Sequence, residues 1–205
     1  MARYLGSVCK VCRRYQEKLM FKGSRCYSPK CSVEKRRGAP GRRRRRISDR
    51  GLQLMQKQKA RYTYGVLEKQ FRRFFAQAEK QQGITGDNLL VLLERRFDNV
   101  VYRLGFADSR SQARQLVQHG HLLVNGRKTN IPSYIVKEGD TISWRESSRE
   151  TEYYKQVLAN IQAISPVSWL SLDRQNLVGR ATSLPSLNEI DAKLDGKTIV
   201  EYYSR

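Results

Sequence analysis

Ser109-Arg-Ser-Gln-Ala-Arg-Gln-Leu-Val-Gln-His-Gly-His-Leu-Leu-Val-Asn-Gly126 changes its hydrophobic period once, and that change sets the fold class. Ser109-x-x-Gln112 has the form of a capping box opening a short helix, whose Ala113, Leu116 and Val117 share one face. Gly120 stands where a C′ glycine would end it. Beyond it the spacing shortens: Leu122-Leu123-Val124 runs into Asn125-Gly126, the strongest short hairpin signal. A further hairpin is expected, with Gly139-Asp140 near its turn and Ile142 and Trp144 alternating on one face. Just upstream, Leu89, Leu93, Phe97, Val100 and Leu104 fall at i, i+4, i+8, i+11 and i+15. That spacing predicts a single helix, capped near Asp87 and closed by Gly105. The class is therefore α+β, with helices leading into a small antiparallel sheet.

Working outward, Ser48 or Asp49 is expected to cap a helix reaching about Tyr64, with Gly65 near its end. A second helix should run from about Leu67 to Gln82 and stop at Gly83, with Leu67, Phe71, Phe74, Phe75 and Ala78 as its apolar stripe. Downstream, residues 150 to about 164 are expected to be helical. The remainder, through Pro166, Gly179, Pro185 and Gly196, reads as loop-rich with short elements. Three parts follow: residues 1–47, a metal knuckle with a basic extension; residues 48–93, a mostly helical domain completed by 158–205; and residues 94–157, a compact module.

All four cysteines lie within the first 31 residues, as Cys9-x₂-Cys12-x₁₃-Cys26-x₄-Cys31. Two close pairs separated by a finger-sized loop can set four sulfurs at the corners of a tetrahedron. Residues 1–50 carry little hydrophobic periodicity, so a bound metal would serve as the fold nucleus there. No signal peptide is visible and the longest strongly apolar run, Leu89–Leu93, is far too short to span a bilayer. A soluble, intracellular protein is expected, and reduced thiols favour a metal over two disulfides. With all four positions filled by protein, the metal would be structural. Zinc is the expectation, and a 4Fe–4S cluster, which takes the same four thiolates, stays open.

Net charge is +21 over 205 residues, which calls for a polyanionic partner. The charge is graded: +14 over residues 1–50, +7 over 51–150 and zero over 151–205. Arg3, Arg13, Arg14, Arg36 and Arg37 surround or follow the cysteines, and Arg42, Arg43, Arg44, Arg45 and Arg46 form an unbroken run. Placed between a knuckle and a helical domain, that run suits a strap along phosphates, each contact adding about 0.7 to 0.9 to the log–log salt slope. In the Ser109 helix, Arg110, Arg114 and Gln118 lie on a polar face, and Arg114 and Gln115 can donate to phosphates or to 2′-hydroxyls. His119 and His121 flank the glycine, where either a capping and packing role or an RNA contact fits. An RNA-modifying enzyme is disfavoured, since no Gly-rich cofactor loop follows a strand and no nucleophile–base pair is evident. A DNA-binding regulator would need a helix-turn-helix or a heptad segment, and neither is convincing.

Longer stretches carry a resemblance. Arg95-Arg-Phe-Asp-Asn-Val-Val-Tyr-Arg-Leu-Gly-Phe-Ala107, the Ser109 helix, Val124-Asn-Gly126, Ile131-Pro-Ser-Tyr134 and Gly139-Asp140 resemble the bacterial form of ribosomal small-subunit protein four. Met1-Ala-Arg-Tyr-Leu-Gly6, Gly51-Leu-Gln-Leu54, Arg61-Tyr62, Tyr64-Gly-Val-Leu-Glu-Lys-Gln-Phe71, Thr85-Gly86 and Ile199-Val-Glu-Tyr-Tyr-Ser-Arg205 are similar to it too, so the likeness covers nearly the full chain. It implies a non-enzymatic constituent of the cytoplasmic ribosome, a primary binder of small-subunit rRNA that nucleates assembly of the subunit body and influences decoding accuracy. Implied neighbours are small-subunit proteins five and twelve and the mRNA entry region, with no membrane and no small-molecule substrate. It also implies that residues 94–157 are an RNA-binding module, with Arg95, Arg96, Arg110, Arg114, Gln115, His119, His121 and Arg127 among its contacts. The cysteine array matches only a metal-carrying branch of that family. After Pro40-Gly41 other members usually carry Gln-His-Gly, whereas this chain has arginines.

Overall fold

Ser48 does cap the first long helix, its hydroxyl accepting from the Gly51 amide, and the architecture builds from there. The structure, a computed structural model, describes residues 4–36, 47–190 and 194–204. Arg3, Arg37 and Arg42 to Arg46 lie outside the described residues. The chain divides into two compact units: the described parts of Met1–Leu89 with Ala192–Arg205, and Leu90–Asp191. The sequence division sent 158–205 to the helical part, yet residues 158 to 190 belong with the module because two strands there join its sheet.

The first unit holds α1 (Val8–Tyr15), α2 (Asp49–Thr63), α3 (Glu68–Glu79) and α9 (Gly196–Tyr203), which ends the described chain. α4 (Thr85–Glu94) begins in it. Phe71, Phe74 and Ala78 of α3 are buried as the stripe predicts, while Leu67 sits at the exposed N-cap. α9 packs against α2. Tyr203 stacks near Phe71 and Phe75, with centroids 6.3 and 4.5 Å away, and donates to Glu68 at 2.9 Å. Lys57, almost fully buried, pairs with the same carboxylate at 2.8 Å. Burial alone would raise the Glu68 carboxyl. The hydrogen bonds from Lys57 and Tyr203 outweigh it and hold the group below its ordinary value. Gln53 adds a 3.0 Å bond to Glu201.

In the second unit the predicted long helix is two. α4 ends at Glu94 and α5 (Phe97–Arg103) begins three residues on, with Arg96 extended at ψ 136°. Leu89, Leu93, Phe97, Val100 and Leu104 are all fully buried, so the stripe is right and the continuity wrong. The break has a backbone cause. Val136 N–H donates to Arg95 O and Phe97 N–H to Tyr134 O, at 2.9 and 2.8 Å, and Arg96 bridges Ile135. Pairing with residues 132–136 therefore replaces the helical bonds, and the Asn99 amide caps the loose Glu94 carbonyl at 2.9 Å.

α6 (Arg110–His119) is capped by the Ser109 hydroxyl and ends at Gly120, whose φ of 72° suits a residue without Cβ. The reciprocal half of the capping box is shifted: Gln112 Oε1 accepts from the Asp108 amide, one residue early. Asn125 and Gly126, both at positive φ, turn β1 (Leu122–Val124) into β2 (Arg127–Lys128). The second predicted hairpin is not made. β3 (Thr141–Trp144) pairs back onto β1, with Leu122 opposite Trp144, and Gly139 donates to Ala181 instead of turning a hairpin. After α7 (Glu146–Arg149) and α8 (Glu152–Asn160), β4 (Leu170–Asp173) and β5 (Val178–Ala181) complete an antiparallel sheet ordered β2-β1-β3-β5-β4. One face covers a continuous core that includes Phe97, Val117, Leu122, Ile142, Trp144, Ile161 and Trp169.

Candidate nucleic-acid interface

The structure sorts the module's predicted contacts into two sets. Arg96 is fully buried, and its guanidinium reaches both Asp98 oxygens, at 3.0 and 2.6 Å. Arg114 is nearly as buried and donates to the same carboxylate at 3.0 Å. A helical wheel places Arg114 on the polar face. What pulls it inward is Asp98, sixteen residues earlier, a partner no local pattern indicates. Neither side chain is exposed to meet RNA. Arg95, half-buried, donates through Nε to Val136 O at 2.9 Å.

Arg110 stands between the sets. Its Nε donates to Asn99 Oδ1 at 2.8 Å and its guanidinium lies 4.7 Å from the Tyr102 ring centre, leaving the side chain half-buried and fixed. Asn99 is itself held by Glu94 Oε2 at 2.7 Å, and Glu94 takes Arg103 at 3.0 and 2.8 Å.

The exposed set is Gln115 and His119 on α6 and Arg127 on the edge strand β2. His121, half-buried, shares a 3.0 Å hydrogen bond between Nδ1 and Ser148 Oγ. Burial, then the charges of His119 and Arg145, lower its pKa and favour the neutral ring. The two imidazoles lie 6.0 Å apart, centre to centre. With Gln112, Gln115, Leu116 and Tyr153 they line one pocket. Tyr153, on α8, was missed because only the fold brings it to α6. Its hydroxyl donates to Phe106 O at 2.9 Å, and burial, with the nearby Asp108 charge, pushes the phenol up to about 12.

At the other end of the chain, Cys12, Cys26 and Cys31 are buried and Cys9 partly so, all as free thiols. The four line a single small cavity together with Lys18, Lys22 and Arg25. The Lys22 amide donates to Cys26 Sγ at 3.4 Å. Burial, and then the proximity of Cys26, Cys9 and Cys31, push the Cys12 thiol up. Among the described residues no group of three or more His, Cys, Asp or Glu side chains is gathered closely enough to hold a metal ion. Arg13, half-buried, and Arg14, exposed, close α1, and Arg36 ends a short 3₁₀ turn, Glu34–Arg36. Among the described residues no helix is long and apolar enough to cross a membrane.

These features define a two-unit α+β protein whose exposed functional groups are cationic, amide and imidazole. Residues 3–94 match the ribosomal protein S4/S9 N-terminal domain, and residues 95–142 match the S4 domain. The chain is 56% identical to the small ribosomal subunit protein uS4 of Dehalococcoides mccartyi (strain CBDB1), with both chains covered in full. It is 53% and 51% identical to the proteins of that name from Pelotomaculum thermopropionicum and Halothermothrix orenii, again over the full length of each. The chain belongs to the uS4 family of small-subunit ribosomal proteins, which is a family of structural ribosomal proteins and not of enzymes.

Proposed function

We propose that this protein is a structural constituent of the small ribosomal subunit that binds small-subunit rRNA early and nucleates assembly of the subunit body. Its place is the cytoplasmic ribosome, beside small-subunit proteins five and twelve and the mRNA entry region, where it contributes to translational accuracy. The observation that carries the reading is the relationship to uS4 proteins over the whole chain, across both units. The charge supports it: +14 of the net +21 lies in residues 1–50, as expected of a segment laid along phosphates. Arg127, Gln115 and His119 offer side chains to RNA, while Arg96 and Arg114 act by holding the module's shape.

The same reading assigns one zinc ion to Cys9, Cys12, Cys26 and Cys31. The chemistry of the donor set suits the ion, since four thiols line one cavity, three of them buried, although they are not gathered into a metal-holding group in this structure. Bound there, zinc supplies a cross-link that substitutes for a hydrophobic core. A 4Fe–4S cluster takes the same ligands, and elemental analysis with a visible spectrum of anaerobically purified protein separates the two.

The deciding experiment is competition binding of the purified protein to small-subunit rRNA against bulk RNA at moderate salt. Preference for the rRNA, with affinity falling steeply as salt rises, is the expected result. Equal affinity for both overturns the proposal.

A further inference from the structure

The pocket at the end of α6 is unlike the rest of the basic surface. Its lining is two imidazoles, a phenol, two amides and Leu116, with no lysine or arginine. It also lies at a helix C-terminus, where the carbonyl ends of the dipole repel anions. A phosphate is therefore poorly suited to it, whereas an uncharged planar ring with donor groups on its edge is well suited.

Part of the lining is fixed before any ligand arrives. Tyr153 is tied to Phe106 O and lies 6.2 Å from the buried Trp144, and Ser148 holds His121. Gln112 Oε1 is engaged by the Asp108 amide, which leaves the Gln112 NH₂ group, with the exposed Gln115 amide, for hydrogen bonding. His121, kept neutral, retains Nε2 as the nitrogen able to address a polar edge. Of the three rings lining the pocket, His119 is the exposed one.

We infer that this pocket takes one unpaired nucleobase of the bound RNA, stacked on His119 and read at its edge by Gln115 and His121. The inference rests on the proposed rRNA binding and adds what the module selects: a base displaced from a helix, not the backbone of a continuous duplex. Aromatic rings suit this, because every base has a π-face on which such a ring can stack.

The test uses the full-length protein and two RNA hairpins of equal length and charge, one fully paired and one carrying a single bulged 2-aminopurine. Expected are about tenfold tighter binding of the bulged hairpin and quenching of its fluorescence. His119→Ala should abolish both, and His119→Phe, which keeps a stacking face, should restore them. Because His119 is exposed in the last turn of α6, neither substitution should unfold the module. Equal affinity for the two hairpins, with preference for small-subunit rRNA retained, overturns the base pocket alone. Loss of that preference as well overturns the rRNA reading on which it rests. Equal quenching of free 2-aminopurine riboside monophosphate at the hairpin's concentration would assign the pocket to a free nucleotide and so also overturn the inference.

Discussion

The cysteine-bearing segment and the Leu90–Asp191 unit achieve order by opposite means. In the first, Val11, Cys12 and Leu19 are the buried cluster, with Tyr15, Phe21, Val33 and Tyr62 leaning on it. In the second, a continuous core runs from Phe97 to Ala181 and covers one face of a five-stranded sheet. The first region is also the more cationic. Side chains that suit phosphate cannot also fill a core, so a segment devoted to a polyanion must take its order from elsewhere. The module separates the two tasks: its apolar residues and two of its arginines go inward, and a few polar groups stay at the surface.

If this contrast is right, Cys26→Ser or a strong chelator should remove amide-exchange protection throughout residues 4–36 and leave the module's protection unchanged. Global unfolding would break the comparison. Within the module, the ion-pair cluster should behave as core. Asp98→Ala strands two buried guanidinium groups and should cost about 3–5 kcal/mol in denaturant unfolding. Arg114→Ala leaves Asp98 its two bonds to Arg96 and should cost less, about 1–3 kcal/mol of stability. Its RNA affinity, measured where the module stays folded, should be little changed; a large loss would return Arg114 to the interface. Arg127→Ala should do the reverse, leaving stability alone, weakening all RNAs alike and lowering the salt slope by about 0.7 to 0.9. The smallest effect is one of pH. A His121 pKa below its unfolded value of about 6.5 means that the unfolded chain binds the proton more readily. The stabilisation is therefore complete above about pH 6.5 and is lost as pH falls through the lowered folded value. His121→Gln should flatten that decline.

The same contrast governs what could be read in advance. Several local signals hold, namely the Ser48 and Ser109 caps, the Gly120 stop and the Asn125-Gly126 turn, whereas Asp87 lies in the first turn of α4 and not at its cap. The apolar stripe from Leu89 to Leu104 named the right buried residues yet missed the break at Arg96, because the break is imposed by pairing with residues 132–136. β4 and β5 were illegible for a similar reason. Residues 170–173 and 178–181 are short, and what makes them strands is β3, itself distant in sequence. At the interface, burial was the hidden variable. Arg96, Arg114 and Arg127 are chemically equivalent as letters, and the fold gives them unlike work.

The docking of α9 on α2 carries one more consequence. Gln53, Lys57 and Glu68, all made early, find Glu201 and the tyrosines at 202 and 203 only once that later segment has been made. The Leu90–Asp191 unit, in contrast, is complete within its own span. During synthesis the order of folding should therefore run against the order of translation. The central module can mature while the N-terminal unit waits for α9, and its cationic surface stays without a finished scaffold until that helix has been made.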